Sequence, residues 1–286
     1  MKILITGSKG MLGNYLQKVL ASEHEVLAFD KEDLDITDRI KSFEVIKNLQ
    51  PDIIINAAAY NAVDKIEESE SDYKIAQKIN TEAPKILAEI AKELNIILVQ
   101  YSTDYIFSGE NKNGYDEDSV AEPISKYGET KLAGEENVRK NCDKYFIIRT
   151  SRIFGLPGSG EGSKKSFVDT MLWLVNEVGK KKLDVVDEEV SAPTYAFDLA
   201  VSTKEILESK QNFGTYHIIN DGACTWYEFA SEIFKLSNKK IILNKVMSNA
   251  FPRPAKRPAF SVLNNNKFKK LHSWQEALGD YLKNSK

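Results

Sequence analysis

Short runs of apolar and β-branched residues recur through the first 190 residues: KILIT at 2–6, EVLAF at 25–29, DIIIN at 52–56, IILVQYS at 96–102, YFIIR at 145–149 and LDVV at 183–186. They are nearly continuous in apolar content rather than alternating, as strands covered on both faces should be. Between them, segments such as MLGNYLQKVL and APKILAEIAKEL repeat apolar positions at helical spacing, the second closing near Asn95. Strand–helix alternation of this kind predicts right-handed crossovers and an α/β fold of the Rossmann type, a doubly wound parallel sheet with helices on both sides.

Beyond about residue 150 the rhythm changes. GLPGSGEGSKKS at 155–166 is rich in glycine and reads as a loop. A short strand pattern, YHIIN at 216–220, is followed by helical patterns at 226–236 and 273–284. FPRPAKRP at 251–258 is too rich in proline for a helix and reads as an extended connector. The expected organisation is a dinucleotide-binding part over residues 1–150 and a smaller mixed α/β lobe, mainly sugar-binding, over 151–286. Some segments of that lobe return to the sheet. The lobe is expected over the carboxyl edge of the strands, where open α/β folds bind ligands.

Composition narrows the function classes. The chain is 42% hydrophobic and 28% charged, ordinary for a globular protein, and its net charge of −3 gives no electrostatic footprint for nucleic acid. The KKK run at 180–182 reads as a solvated loop or helix end. No apolar stretch is long enough to span a membrane, and MKILITG runs straight into a strand pattern without a signal-peptide layout. Cys142 and Cys224 have no metal-like spacing, which fits a reducing cytoplasm. His24, His217 and His272 are scattered, so neither a metal centre nor a histidine-based triad is expected. The acidic cluster of Glu67, Glu68 and Glu70 reads as a solvated helix start; no metal site is assigned.

Candidate chemistry begins in ITGSKGMLG. Gly7, Gly10 and Gly13 stand between the first strand and the first helix, spaced one residue wider than the common dinucleotide fingerprint. Gly7 suits a tight turn, Gly10 lets backbone approach a pyrophosphate, and Gly13 lets the helix pack on the strand; the helix amino terminus supplies N–H groups to the phosphates. Asp30 ends the second strand, where a carboxylate can accept from adenosine ribose hydroxyls or cap the following turn. Lys31 beside it could meet a 2′-phosphate, so both NADH and NADPH are expected. The small residues of NAAAY either leave room for a cofactor's ribose–nicotinamide unit against backbone or serve ordinary helix–sheet packing.

Thr103 sits where the fourth strand emerges, and ISKYGETKLAG follows at 124–134. Of all the tyrosines, only Tyr127 has a lysine, Lys131, four residues on, and residues so spaced share a helix face. A tyrosine titrates near ~10 when unperturbed. An adjacent ammonium is expected to lower that value, so that Tyr127 donates a proton to a ketone oxygen held by Thr103. Lys131 would also bind the nicotinamide ribose.

This set, with the glycine fingerprint, resembles the extended short-chain dehydrogenase/reductases. More closely, INAAAYNAVDKIE, QYSTDYIFSGE, YGETKLAGE, RTSRIFG, SAPTYAFDLA and RPAKRPAFSVL run in the order seen in the dTDP-4-dehydrorhamnose reductase family, over nearly the whole chain. The resemblance implies a catalytic triad of Thr103, Tyr127 and Lys131. It implies a dinucleotide lined by Gly7, Gly10, Met11, Leu12, Asp30, Ala57, Ala58, Ala59 and Asn80, and a sugar nucleotide bordered by Val63, Asp104, Tyr105 and Arg257. The implied reaction is NAD(P)H-dependent reduction of the C4 ketone of dTDP-4-dehydrorhamnose. Some relatives form homodimers and some use Mg²⁺, so a homodimer is a possible partner state.

Four departures fall in the substrate half. Arg152 stands where tryptophan is usual, the loop at 155–166 is long, Glu189 replaces a glutamine, and Phe260 replaces a polar residue. Arg152 is therefore expected either to select a more oxygenated sugar or to swing outward towards Glu188 or Glu189. Two alternatives accompany the leading reading. One is a reductase of another nucleotide-linked 4-keto-6-deoxy sugar. The other is a non-catalytic dinucleotide-binding subunit similar to the regulatory β subunit of methionine adenosyltransferase.

Overall fold

The computed structural model describes residues 1–160 and 163–284. In chain order the first part runs β1 (Lys2–Thr6), α1 (Met11–Leu20), β2 (Glu25–Phe29), α2 (Arg39–Leu49), β3 (Ile53–Asn56), α3 (Val63–Glu68) and α4 (Glu70–Ala76). A π-helical stretch, Gln77–Glu82, leads into α5 (Ala83–Glu93), then β4 (Ile97–Thr103), α6 (Lys126–Asn141) and β5 (Tyr145–Thr150). The second part holds β6 (Ile153–Phe154), α7 (Phe167–Asn176), β7 (Lys182–Val186), β8 (Val190–Ser191), β9 (Thr194–Tyr195) and α8 (Ala196–Glu208). It continues with β10 (Gly214–His217), β11 (Cys224–Thr225), α9 (Trp226–Leu236), β12 (Ile242–Val246) and α10 (Trp274–Asn284).

The main sheet is six-stranded, in the order β10-β5-β4-β3-β1-β2, and every pairing in it is parallel. Two hydrophobic layers explain the continuous apolar runs. Ile3, Ile5, Ile53, Ile55, Val99 and Ile148 point into one, against α1 and α8. Leu4, Ile54, Leu98 and Ile147 point into the other, against α2, α5 and α6. A strand buried on both faces has no place for a polar residue except at its end.

One strand falls elsewhere. LDVV was expected among the parallel strands of the main sheet, but among the described residues β7 pairs only with β12, in a separate two-stranded parallel ribbon. Charged neighbours explain this: Lys182 and Asp184 stay exposed, and such a strand cannot be covered on both faces. The sixth place goes to β10, which opens the YHIIN run and buries Thr215, Tyr216 and His217. Of the KKK run, Lys182 opens β7, and all three lysines are exposed.

The FPRPAKRP segment is free of regular structure, as expected. Together with the stretch after it, this segment crosses the carboxyl ends of β3 and β4. Arg257 reaches Asp64, and Ser261 reaches Asp104. The glycine-rich loop, whose residues 161–162 lie outside the described residues, folds back onto the first turn of the chain: Ser159 and Gly160 N–H groups donate to Lys9 O at 2.9 and 3.1 Å. Among the described residues no helix is long and apolar enough to cross a membrane.

Candidate active site

The turn after β1 is built for close approach. Gly7 has φ +68°, and a Cβ there would lie 2.6 Å from Ala58 N, so only glycine fits. A Cβ at Gly13 would collide with the carbonyls of Gly7 and Ser8, which lets α1 pack directly on the turn. Among the described residues, a Cβ at Gly10 would come near only Gly7 O, at 3.2 Å. Gly10 caps α1 with no side-chain hydrogen bond and no acid follows in the first turn. The N–H groups of Met11, Leu12 and Gly13 thus carry the helix's positive end with no side-chain cap to satisfy them. This is the donor set that a dinucleotide pyrophosphate requires.

Asp30 lies beside this turn and accepts from the backbone N–H of Lys9 at 3.0 Å and of Lys31 at 2.8 Å. It therefore joins the second strand to the glycine turn as well as capping its own bend. Sequence reasoning missed Lys9, whose Nζ meets Glu32 Oε2 at 2.9 Å next to Asp30; a cation inside the glycine run was the available signal. Asp30→Ala is expected to raise the NADPH-to-NADH ratio of kcat/KM, because a carboxylate favours a free 2′-hydroxyl and Lys9 and Lys31 favour a phosphate. An unchanged ratio, measured by steady-state kinetics with both cofactors, would leave Asp30 as a turn cap only.

Ala57, Ala58 and Ala59 follow β3 directly. Asn80 is buried, and its amide is engaged by Tyr60 N, Tyr60 O and Thr130 Oγ1 at 2.9 to 3.2 Å. It braces the wall after β3 from behind, at a π-helical irregularity of the kind often found near functional sites.

Helix α6 is held in place from several sides. Ser125 caps it, accepting from Gly128 N, and Glu67 Oε2 accepts from Lys126 N at 3.0 Å while Glu67 O accepts from Lys126 Nζ at 3.1 Å. Glu67 was expected to be solvated; it clasps the start of α6 instead, because the first N–H groups of a helix have no acceptor within it. Glycines 128 and 134 pack against the Tyr105 and Asn80 carbonyls so closely that a Cβ would collide with them. The helix therefore lies flat on the end of β4, and its buried face carries Lys131 and Glu135.

Tyr127 enters beside Thr103, whose hydroxyl favours the phenolate, and its ring meets Tyr105 edge-on at 5.7 Å. Lys131 is buried, and its Nζ donates to Tyr101 O at 2.8 Å. Burial pulls its ammonium down to about 8, opposed by the Glu135 charge. The Tyr127 phenol moves opposite to expectation: desolvation and the Asp104 charge raise it, and Lys131 does not offset them. The Lys131 ammonium is directed at the Tyr101 carbonyl, at 2.8 Å, rather than at the phenol. A raised value keeps the phenol protonated, the state an acid needs before it donates.

Asp104 is almost fully buried; Ser261 Oγ donates to it at 2.6 Å and Thr103 Oγ1 at 3.1 Å. Burial pushes its carboxyl up to about 6, against these hydrogen bonds and the Arg152 charge. Arg152 has not swung outward to Glu188 or to the Glu189 carboxylate. Its guanidinium turns inward, donating to the backbone carbonyls of Cys224 and Glu189 at 2.8 and 2.7 Å and stacking 4.0 Å over the Trp226 ring. Glu188 caps Ser248 N instead, and the Glu189 carboxylate takes Arg253, Trp226 Nε1 and Ser248. Arg152 has a positive φ of 41°, a strained conformation that these contacts overcome.

Arg257, with Val63 and Asp64 opposite, forks onto the Asp64 carboxylate at 2.5 and 2.7 Å. It belongs to a cavity of about 500 Å³ lined by Glu189, Ser248, Phe251, Arg253, Lys256 and Arg257, among others. Three of those side chains are cationic. Phe260 lies at the edge of this region with Lys112 Nζ 5.4 Å from its ring centroid. Among the described residues no group of three or more His, Cys, Asp or Glu is placed to hold a metal ion.

Fold, glycine turn and the Thr103–Tyr127–Lys131 grouping together define a short-chain dehydrogenase/reductase of the extended kind. Within that class the chain belongs to the RmlD substrate binding domain family, whose model matches residues 1–286. It is 36% identical over 294 residues to the dTDP-4-dehydrorhamnose reductase of Escherichia coli K12, covering 96% of this chain and 95% of that one. Among solved structures, a dTDP-4-dehydrorhamnose reductase from Clostridium acetobutylicum superimposes with a TM-score of 0.92 at 40% identity, over 100% of this chain and 99% of the other. The enzyme of the same name from Bacillus anthracis, in complex with NADP, gives a TM-score of 0.92 at 35% identity over 99% of each chain.

Proposed function

We propose that this chain is an NAD(P)H-dependent oxidoreductase that reduces the C4 ketone of dTDP-4-dehydrorhamnose to dTDP-L-rhamnose, a step in nucleotide-sugar and cell-surface polysaccharide biosynthesis. The observation that carries the reading is that Thr103 adjoins Tyr127 at the end of β4, with Lys131 one turn further along α6. Its close relatives carry the same activity in their names.

In this reading residues 1–150 hold the dinucleotide and residues 151–286 mainly the sugar nucleotide, with β10 returning to the sheet. Gly7, Gly10 and Gly13 shape the turn, Met11 and Leu12 offer N–H groups to the pyrophosphate, and Asp30, Lys31 and Lys9 read the adenosine ribose. Ala57, Ala58 and Ala59 leave room beside the nicotinamide end, and Lys131 faces its ribose. When bound, NAD(P)H supplies the hydride. Thr103 orients the ketone oxygen, and Tyr127 gives it the phenol proton. Arg257 leaves or shares Asp64 to fork onto the diphosphate, with Arg253 and Lys256 adding charge. The reading places the chain in the cytoplasm, where reduced dinucleotide and nucleotide sugars are made; a homodimer is compatible with it. The test uses NADPH deuterated at C4 of its ring: the label is expected at C4 of the rhamnose product, and label elsewhere in the sugar would refute C4 as the site of reduction.

Arg152 favours a second reading, of the same chemistry on a more oxygenated 4-keto sugar. A half-buried guanidinium fixed by two carbonyls and an indole offers directed donors where a tryptophan would offer an apolar wall. For Arg152→Trp, kcat/KM values for different 4-keto sugars are expected to change relative to one another by about tenfold or more, ~1.4 kcal/mol of differential transition-state binding. Equal scaling for all sugars would make Arg152 a structural brace.

A further inference from the structure

Glu189 is a buried carboxylate on the wall of the cationic cavity. β8 and β11 pair Val190 with Thr225, which brings Glu189 next to Trp226. Its Oε2 accepts from Trp226 Nε1 at 3.0 Å and its Oε1 from Ser248 Oγ at 3.3 Å, while the Arg253 guanidinium spans both oxygens. An ionised carboxyl has about four acceptor positions, and these donors fill them. The backbone carbonyl of the same residue accepts from Arg152 Nη2 at 2.7 Å.

Trp226 carries the connection further. Phe167 packs on it with ring centroids 4.6 Å apart, and the Arg152 guanidinium lies 4.0 Å from the Trp226 centroid. Arg152 is thus placed by Glu189 twice, through the carbonyl and through the indole that the carboxylate holds. A tilt of that indole would carry the guanidinium with it.

We infer that Glu189 is the positioning residue that sets sugar specificity, tying Arg152 at the sugar end of the site to Arg253 on the cavity wall. The inference rests on the reading in which Arg152 faces the sugar. Glu189 makes and breaks no bond in the reaction; it fixes the direction of the donors that the sugar meets. A site built to hydrogen-bond a substrate hydroxyl rejects an analogue lacking it far more strongly than an apolar wall does, provided that the donor cannot turn away.

Charge supports the arrangement. A guanidinium partly removed from water needs negative charge nearby. Burial lowers the Arg152 group from the ordinary arginine range, and the Asp104 and Glu189 charges oppose that. A glutamine amide of the same shape could keep its oxygen for the indole. Its NH₂ group would then face the Arg253 guanidinium, donor against donor. The carboxylate is what lets the indole and both guanidinia stand together.

The test compares Arg152→Trp, Glu189→Gln and the double variant on dTDP-4-dehydrorhamnose and on its analogues lacking the C2 or the C3 hydroxyl. Glu189→Gln is expected to lower the kcat/KM preference for the hydroxylated sugar by about fivefold or more, in the same direction as Arg152→Trp. The double variant is expected to show the preference of Arg152→Trp alone, because Glu189 acts on the sugar through Arg152. Trp226→Phe keeps a ring beneath the guanidinium but loses the Nε1 donor; it is expected to lower the same preference, and it decides the matter if Glu189→Gln does not fold. A merely structural role would scale all the sugars alike. An unchanged preference in Glu189→Gln or in Trp226→Phe would overturn the inference, as would a double variant in which the two single effects multiply. If Arg152→Trp itself leaves the preference unchanged, the reading of Arg152 fails and takes the inference with it. A shift in Arg152→Trp with none in Glu189→Gln overturns the inference alone.

Discussion

Tyr127→Phe is expected to lower kcat by about 10²–10⁴-fold while dinucleotide affinity stays near that of the unmodified chain. The phenol stands one turn from Lys131 on α6, and Thr103 adjoins it at the end of β4. Phenylalanine keeps the ring and its edge contact with Tyr105 at 5.7 Å, so packing changes little. What disappears is the proton. Because burial and Asp104 raise the phenol, the unmodified chain should not lose this acid by ionisation in the neutral range. Its alkaline limit in kcat/KM should instead follow Lys131, near pH 8, as the ammonium loses its charge. Near-normal turnover in Tyr127→Phe would remove Tyr127 from the chemistry.

The second large effect concerns stability. Glu135 and Arg149 are both buried and joined by Nε and Nη2 hydrogen bonds at 2.9 and 2.8 Å, with Arg139 adding a third donor. Arg149 also reaches the Glu117 carbonyl and His217, whose ring is held down at about 3 by burial and the neighbouring guanidinium, and so stays neutral. Glu135→Ala leaves a buried arginine without its counter-charge and is expected to cost about 3–5 kcal/mol, read from denaturant midpoints. Replacing Glu135 and Arg149 together by apolar residues of similar volume should recover most of that loss. Ion pairing holds Glu135 below the ordinary glutamate range despite its burial. Its contribution is therefore fully present above pH ~4.3 and is lost only as pH falls through its lower folded value. A cost under about 1 kcal/mol for Glu135→Ala would show that the pair is not desolvated as described.

How much of this could be read from residues alone follows from the range of the forces involved. β1, β3, β4 and β5 were legible because a two-faced strand must be apolar at nearly every position. The helices at 11–20, 83–93 and 226–236 were legible from their 3.6-residue period. LDVV looked like a strand and is one, but which sheet it joins depends on the exposure of Lys182 and Asp184, and a short apolar run cannot reveal that. The glycine turn was readable because its demands are local. Arg257 was readable only as a cation: its partner Asp64 is 193 residues away. The same holds for Arg152, whose two carbonyl acceptors and indole come from segments that meet only in the fold. The sign of the Tyr127 shift was misjudged because helical spacing shows that Lys131 shares a face but not which acceptor holds its ammonium. Glu67 looked solvated because an acid near a helix start usually is; here it caps a different helix.

The most direct test of the account is to give the purified chain dTDP-4-dehydrorhamnose with NADPH and follow cofactor and sugar together. The account predicts that one NADPH is consumed per sugar and that the product is dTDP-L-rhamnose, gaining two hydrogens. Tight binding of the dinucleotide with no consumption of it, for this or any related 4-keto sugar, would contradict the account and identify the chain as a binding subunit built on a reductase fold.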